Sequence, residues 1–270
     1  MIFNSVLTID GIPPRELGLG VFRNSQRPIL SSTVNNTVTL PGMHGAYDFG
    51  ATMGPKQFEL ECAFITRNHI ELQQRVSALA AFLLDGDGRP RTMDIVFANS
   101  SDRKYSVRYV GSLNIDRISG LGTFTLPFTA FDPFAYSKQN TNELLTWDTD
   151  LTWQDDFAWD DIYEFAFRGP ETVQINNFGT LNIEPLIVVT GSFSTLSLTI
   201  GGVEFKYNTS FNGTLEINHK RKTVKSGNQN LLRNTNAKFG KLPPGTSDLI
   251  VNGTNLNISV DVIFNAKYAA

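Results

Sequence analysis

Only one stretch of this sequence carries a convincing helical period, and that limits the fold more than any other feature. Leu72, Val76, Leu79 and Leu83 recur at spacings of four, three and four, giving a single apolar stripe. Asn68 precedes the stripe and Glu71 follows three residues on, the pairing of a capping box. Asp85-Gly86-Asp87-Gly88 predicts the end of the helix, with glycine in a left-handed cap. Elsewhere the apolar residues alternate with polar ones, or fall in short runs between glycine, proline and asparagine. A chain of 270 residues patterned this way is mainly β (all-β or α+β), with one helix packed on a sheet.

The clearest strand is Phe58–Phe64, where Phe58, Leu60, Cys62 and Phe64 alternate with Glu59 and Glu61, so one face is buried and one wet. Cys62 on the apolar face reads as a small core residue. Further strands are predicted at Ser5–Asp10, Thr37–Leu40, Met93–Ala98, Lys104–Val110 and Gly122–Phe131. Asn99–Asp102 reads as a turn of hairpin length, and Pro127 predicts an edge strand or a bulge. In the last hundred residues Leu186–Thr190, Leu196–Ile200, Val203–Tyr207, Thr214–Asn218 and Asn257–Phe264 are short strands. They are separated by Gly191, Gly201-Gly202, Asn212-Gly213 and Asn252-Gly253, a spacing that predicts a sandwich or jelly roll.

Between these halves the composition changes. From Glu143 to Glu171 there are nine acidic residues against one base, Arg168. Within this stretch a six-residue repeat begins at Leu145, Leu151 and Phe157, and it holds all three tryptophans, Trp147, Trp153 and Trp159. An even period returns each tryptophan to one face of an extended chain. The expected organisation is an N-terminal β domain with one helix (1–136), an acidic connecting segment (137–171) and a C-terminal β-sandwich (172–270). The basic run from His219 to Lys225 is the electrostatic opposite of the connecting segment.

Several function classes are disfavoured. With 23 basic and 26 acidic residues the net charge is −3, which lacks the basic field of non-specific nucleic-acid binding. A single cysteine excludes an internal disulfide framework and a cysteine-based zinc site. No 18-residue apolar run is present to span a membrane as a helix. The first residues show neither a basic n-region nor an apolar h-region, so folding in a cytoplasm is expected. The Asn-x-Ser/Thr sites at Asn35, Asn99, Asn208, Asn212, Asn252 and Asn257 then read as turn chemistry. His44, His69 and His219 have no metal-ligand spacing, and surface roles are expected for His69 and His219. The clustered aspartates at 148–161 lack the spacing of a calcium loop, and a linear repeat does not oppose two carboxylates across a cleft. No catalytic residue, cofactor or metal site is predicted, and the chain is not expected to be an enzyme. Gly42–Gly50 is glycine-rich but fits no phosphate cradle, and it reads as a tight loop.

Several motifs together resemble a family. Ile12-Pro-Pro-Arg-Glu-Leu-Gly18 is followed by Leu40-Pro-Gly-Met-His-Gly-Ala-Tyr-Asp-Phe-Gly50, which is similar to the P-G-x-x-G-x-Y-x-x-G signature of siphophage distal tail proteins. The strand and helix of Lys56–Leu84, the Asp102–Tyr105 hairpin and Phe131-Asp-Pro-Phe-Ala-Tyr136 follow in the order that family shows. Asn177–Thr180, Glu184-Pro185, Gly213–Ile217 and Phe239–Gly245 resemble the strand and turn pattern of its galectin-like domain. Met43 stands where the signature often has arginine, so no ionic role carries over to that position.

The resemblance implies a structural virion protein at the distal end of a long non-contractile tail, made in the host cytoplasm. It implies a homo-hexameric ring formed by the N-terminal domain, joining the tail tube protein to the tail-tip hub or fibre protein, with a galectin-like sandwich outside it. Baseplate or receptor-binding proteins are further implied partners. Pro41, Gly42, Gly45, Tyr47 and Gly50 of the signature are the expected interface or turn residues. The alternative from another class is a carbohydrate-binding module, in which aromatics of the C-terminal sandwich stack on host glycans.

Overall fold

Phe58, Leu60, Cys62 and Phe64 all lie buried on one face of the strand around which the N-terminal half is built. The computed structural model describes residues 7–22, 25–66, 68–118, 121–142 and 163–269. The acidic tryptophan repeat at 145–162 lies outside the described residues. The chain divides into two compact units, Met1–Ala135 and Tyr136–Ala269. Both are mainly β, as the sequence predicts.

The N-terminal unit contains β1 (Leu7–Ile9), β2 (Leu19–Val21), β3 (Thr33–Val38), β4 (Tyr47–Met53), β5 (Lys56–Ile65), α1 (His69–Leu83), β6 (Thr92–Phe97), β7 (Ser100–Tyr109), β8 (Asp116–Ile118) and β9 (Leu121–Ala130). Its main sheet runs in the order β1-β6-β7-β9-β5-β2, with β8 paired to β9. β5 and β9 pair from Lys56↔Ala130 to Ile65↔Leu121, so Phe58 faces Phe128 and Leu60 faces Leu126 across the ladder. The buried residues at alternate positions of β5, β6, β7 and β9 make one apolar face.

Helix α1 starts as its sequence requires: the Asn68 side chain accepts from Ile70 N at 3.0 Å and Glu71 N at 2.9 Å. Leu72, Leu79 and Leu83 are buried, while Val76 of the same stripe is half-buried along an open groove of about 480 Å³. The end of the helix differs from the expected glycine cap. Leu84 is extended (φ −110°), and Arg91 N donates to Leu83 O at 3.1 Å. The returning chain supplies that donor, so no left-handed residue is needed. Gly88 (φ +76°) instead shapes the turn in which Asp85 Oδ1 accepts from the amides of Asp87 and Arg89.

Ser100–Asp102 belong to β7 rather than to a turn, because an irregularity between Ile95 and Phe97 lets β6 and β7 connect through Ala98-Asn99 alone. Pro127 is neither on an edge strand nor in a bulge, since β9 is paired on both sides. It is tolerated because β7 pairs with β9 only at Arg108↔Thr129 and Tyr109↔Phe128, and beyond that Val110 N reaches Pro127 O at 3.4 Å. The N–H that proline lacks would point to this same side, just past the last pair of the β7–β9 ladder.

The C-terminal unit is a sandwich. After β10 (Ala135–Ser137) come β11 (Glu164–Phe167), β12 (Glu171–Asn177), β13 (Leu186–Phe193), β14 (Thr195–Ile200), β15 (Val203–Tyr207), β16 (Phe211–Asn218), β17 (Thr223–Ser226), β18 (Gln229–Asn230), β19 (Gly245–Thr254), β20 (Asn257–Ile263) and β21 (Lys267–Tyr268). One sheet has the order β11-β20-β13-β16-β17-β18 and the other β12-β19-β14-β15. Ile187, Val189, Leu215, Ile217, Val260 and Val262 of the first sheet share a core with Leu196, Leu198, Phe205, Leu249 and Val251 of the second. Ser137 N donates to Ala266 O at 2.9 Å and Thr141 Oγ1 to Val262 O at 2.7 Å, while β11 pairs along β20. Residues 137–142 and 164–167, expected in a connecting segment, thus hydrogen-bond within this unit.

Glycine misleads the sequence reading here. Gly201 and Gly202 do form a turn (φ +54° and +77°). Gly191, Gly213 and Gly253 lie inside β13, β16 and β19. Gly191 pairs with Gly213, and a side chain at Gly191 or Gly253 would collide with Asn257 O or Thr195 O. Close backbone approach, not chain reversal, requires those two glycines. His219 is a further correction, being 2% exposed rather than at the surface. The turn after β16 tucks its ring against Phe239 and sets Nδ1 3.0 Å from Gly240 O, leaving Nε2 buried without a partner.

Candidate assembly interface

Between β2 and β5 the chain leaves the N-terminal sheet as an arm. Its first limb is anchored: Gln26 and Glu59 exchange backbone bonds of 2.8 and 3.1 Å, and the Arg27 guanidinium lies 3.9 Å over the Phe97 ring while bonding Asn99 at 2.7 Å. Burial lowers the Arg27 pKa from its usual value, against the raising influence of Tyr105. Gly54 N closes the arm's base by donating to Ser32 O at 2.7 Å.

Beyond that base, β3 and β4 form a two-stranded sheet of their own, and every residue from 32 to 52 is exposed. The two strands pair with each other from Thr33↔Met53 to Val38↔Tyr47. Between Asn35↔Ala51 and Thr37↔Asp48 one residue of β3 stands against two of β4, which is a bulge. Gly50 sits in it at φ +89°, its amide held by Asp48 Oδ1 at 2.9 Å. At the tip Met43 N donates to Leu40 O at 3.2 Å, so Pro41 and Gly42 are the central residues of a β-turn. Proline there with Gly42 at φ +83° is the arrangement of a type II turn. Gly45 also has a positive φ (+86°), and a side chain at 42, 45 or 50 would meet open space. Backbone conformation, not crowding, calls for glycine at these three positions.

The structure therefore places Pro41, Gly42, Gly45, Tyr47 and Gly50 on one exposed arm: three at its tip, Tyr47 opposite Val38, and Gly50 in the bulge. It also brings in residues that the sequence reading missed. Ile29, Leu30, Val34, Val38, Leu40, Met43 and Phe49 are exposed with Tyr47, and Phe49 reaches 70%. From Pro28 to Met53 the only formal charge is Asp48. That shortage of charge was the available signal, since solvated strand edges are ordinarily guarded by charge. A two-stranded hairpin is marginal alone in water, and one with a single charge and exposed apolar side chains is a surface built to be covered.

Other chemistry is sparse. Among the described residues no group of three or more His, Cys, Asp or Glu side chains converges as a metal site. Burial, with Glu61 adding to it, pushes the Cys62 thiol up to about 12, which suits an inert core residue. In the C-terminal unit the described aromatic residues are all buried or half-buried.

Residues 15–130 match the family described as the phage tail protein RIFT-related domain. No curated protein sequence matches the chain. Among solved structures, the Dit protein of phage SPP1, described as a paradigm of the hub adsorption apparatus in phages infecting Gram-positive bacteria, aligns with a TM-score of 0.67. That alignment covers 97% of this chain and 98% of SPP1 Dit at 16% identity, a likeness of fold. Two structures of the phage P2 baseplate in its activated conformation, with calcium and with strontium, align at 9% identity with TM-scores of 0.30 and 0.33. They cover 88% and 92% of this chain and 92% and 90% of theirs. Residues 15–130 thus match the phage tail protein RIFT-related domain family, and over its length the chain has the fold of SPP1 Dit.

Proposed function

We propose that this virion protein of the distal phage tail closes into a hexameric ring through the arm at residues 29–53. The ring joins the tail tube to the tail-tip hub or fibre protein and is a platform for baseplate or receptor-binding proteins. The observation that carries the reading is the run of exposed residues from 32 to 52, nearly uncharged and presenting Val34, Val38, Leu40, Met43, Tyr47 and Phe49, on a hairpin whose strands pair only with each other among the described residues. A closed ring needs two different complementary surfaces on each subunit, and a projecting arm supplies one of them. Pro41, Gly42 and Gly45 shape the tip that meets the neighbour, Gly50 bends the arm, and Tyr47 contributes contact area. The work of such a protein is assembly, not catalysis.

The glycan-binding alternative needs an exposed aromatic platform on the C-terminal sandwich. Among the described residues every exposed large apolar side chain lies at or before Phe131, in the other unit. The reading is tested by replacing residues 33–53 with a short Gly/Ser turn and comparing particle mass, alone and on purified tail tubes. Loss of assembly with an unchanged circular dichroism spectrum of the remaining sheet supports it. A variant that assembles like the intact chain refutes it.

A further inference from the structure

We infer that Lys56 is a positioning residue whose ammonium group fixes the direction in which the arm leaves the sheet. The inference rests on the arm being the assembly surface. Lys56 opens β5, next to the point where the arm returns, and is 1% exposed. It is the only Lys, Arg, Asp or Glu among the buried described residues. A buried ammonium is expensive unless its donors are satisfied. Here Nζ donates to Ile29 O at 2.9 Å and to the Tyr105 hydroxyl at 3.1 Å, and none of the described ion pairs includes it. Its remaining stabilisation comes from ring faces, with Nζ 4.7 Å from the Tyr105 centroid and 5.8 Å from that of Phe58.

The partner identifies the role. An ammonium paired with a carboxylate would hold only another side chain. This one instead grips the backbone carbonyl of Ile29, 27 residues earlier, at the first apolar residue of the arm. The Ile29 side chain is 78% exposed and Leu30 is exposed beside it, so no packing of their own holds that limb down. Lys56 ties the outgoing limb to the strand that receives the returning limb, and the Phe58, Phe97 and Tyr105 rings, 5.1–6.2 Å apart, form the floor beneath it. The latch sets the arm's exit while its apolar side chains stay presented outward.

Lys56→Met keeps the length and apolar stem of the side chain and removes its donors. Hydrogen exchange of the full-length chain should show the amide of Gly54, which closes the base of the arm on Ser32 O, exchanging about tenfold faster or more. Amides of the β5–β9 ladder should be unchanged, and the assembled fraction should fall at least about tenfold at equal concentration. Unchanged exchange at Gly54, or equal loss throughout β5 and β9, overturns the latch. Faster exchange at Gly54 with wild-type assembly overturns the positioning role. Neither result bears on the arm replacement, which judges the assembly reading by itself. If Lys56→Met does not fold, NMR of the wild-type ammonium decides: slow proton exchange with a coupling to the Ile29 carbonyl supports the latch. Exchange as fast as that of surface lysines overturns it.

Discussion

Phe49 and Phe58 are the same residue nine positions apart, and the account assigns them opposite consequences when each is cut to alanine. Phe58 is 0% exposed and packs against Phe97 at 5.6 Å and Tyr105 at 5.1 Å. Its loss should cost about 3–5 kcal/mol of the N-terminal unit's stability, or roughly 10–20 °C of melting temperature for a unit of this size. Phe49 is 70% exposed, so about 60 Å² of an about 200 Å² side chain is shielded within its own chain. That caps its contribution to folding at about 1.5 kcal/mol. The other ~140 Å² is available to a neighbour, and allowing for the area alanine keeps, its loss should weaken association by about 2–3 kcal/mol, or roughly 30–150-fold. Calorimetry should be done where sedimentation finds a single-chain mass, because assembly raises melting temperature by mass action. Sedimentation over a concentration series then reads association. If Phe49→Ala melts as low as Phe58→Ala, the arm is packed on its own unit and the reasoning fails. A Phe49→Ala protein that associates like wild type refutes it from the other side.

Other outcomes follow from the C-terminal sandwich and the core. Burial lowers the His219 pKa below 6.5, so as pH falls through about 6.5 the unfolded chain takes up a proton that the folded chain refuses. Stability of the C-terminal unit should therefore drop on acidification in that window, and His219→Phe should flatten the slope in pH-dependent urea melts. A wild-type slope of the opposite sign contradicts the burial argument. Gly253→Ala should destabilise this unit by about 2 kcal/mol or more, since the new methyl meets Thr195 O and Leu256, and chemical denaturation reads the loss. Cys62, with its thiol near 12, should resist thiol reagents in the native state and react only after denaturation. Labelling of native protein at the rate of a free cysteine would place it outside the core.

What could be read in advance depended on contrast between faces. Phe58–Phe64 was legible because its buried and wet positions differ, and α1 because its leucines recur beside a capping asparagine. β3 and β4 offered no such contrast, since both faces of the arm are exposed, and only a fragment near residues 37–40 looked strand-like. The family-like signature nevertheless pointed to this arm, because Pro41, Gly42, Gly45 and Gly50 answer to turn and bulge geometry that spacing alone records. β19 was missed because Asn252-Gly253 has the composition of a turn while its structural purpose is close approach to β14. Lys56 and His219 were unreadable for another reason. Their partners are backbone carbonyls at Ile29 and Gly240, 27 and 21 residues distant, and no side-chain pattern records a carbonyl.

Assembly through the arm is the central claim, and particle mass tests it most directly. Light scattering on the size-fractionated full-length chain, with negative-stain images of the same fractions, should give about six times 29.9 kDa and closed rings, in solution or on the ends of added tail tubes. A single-chain mass under both conditions, with no ring on tube ends, would contradict it.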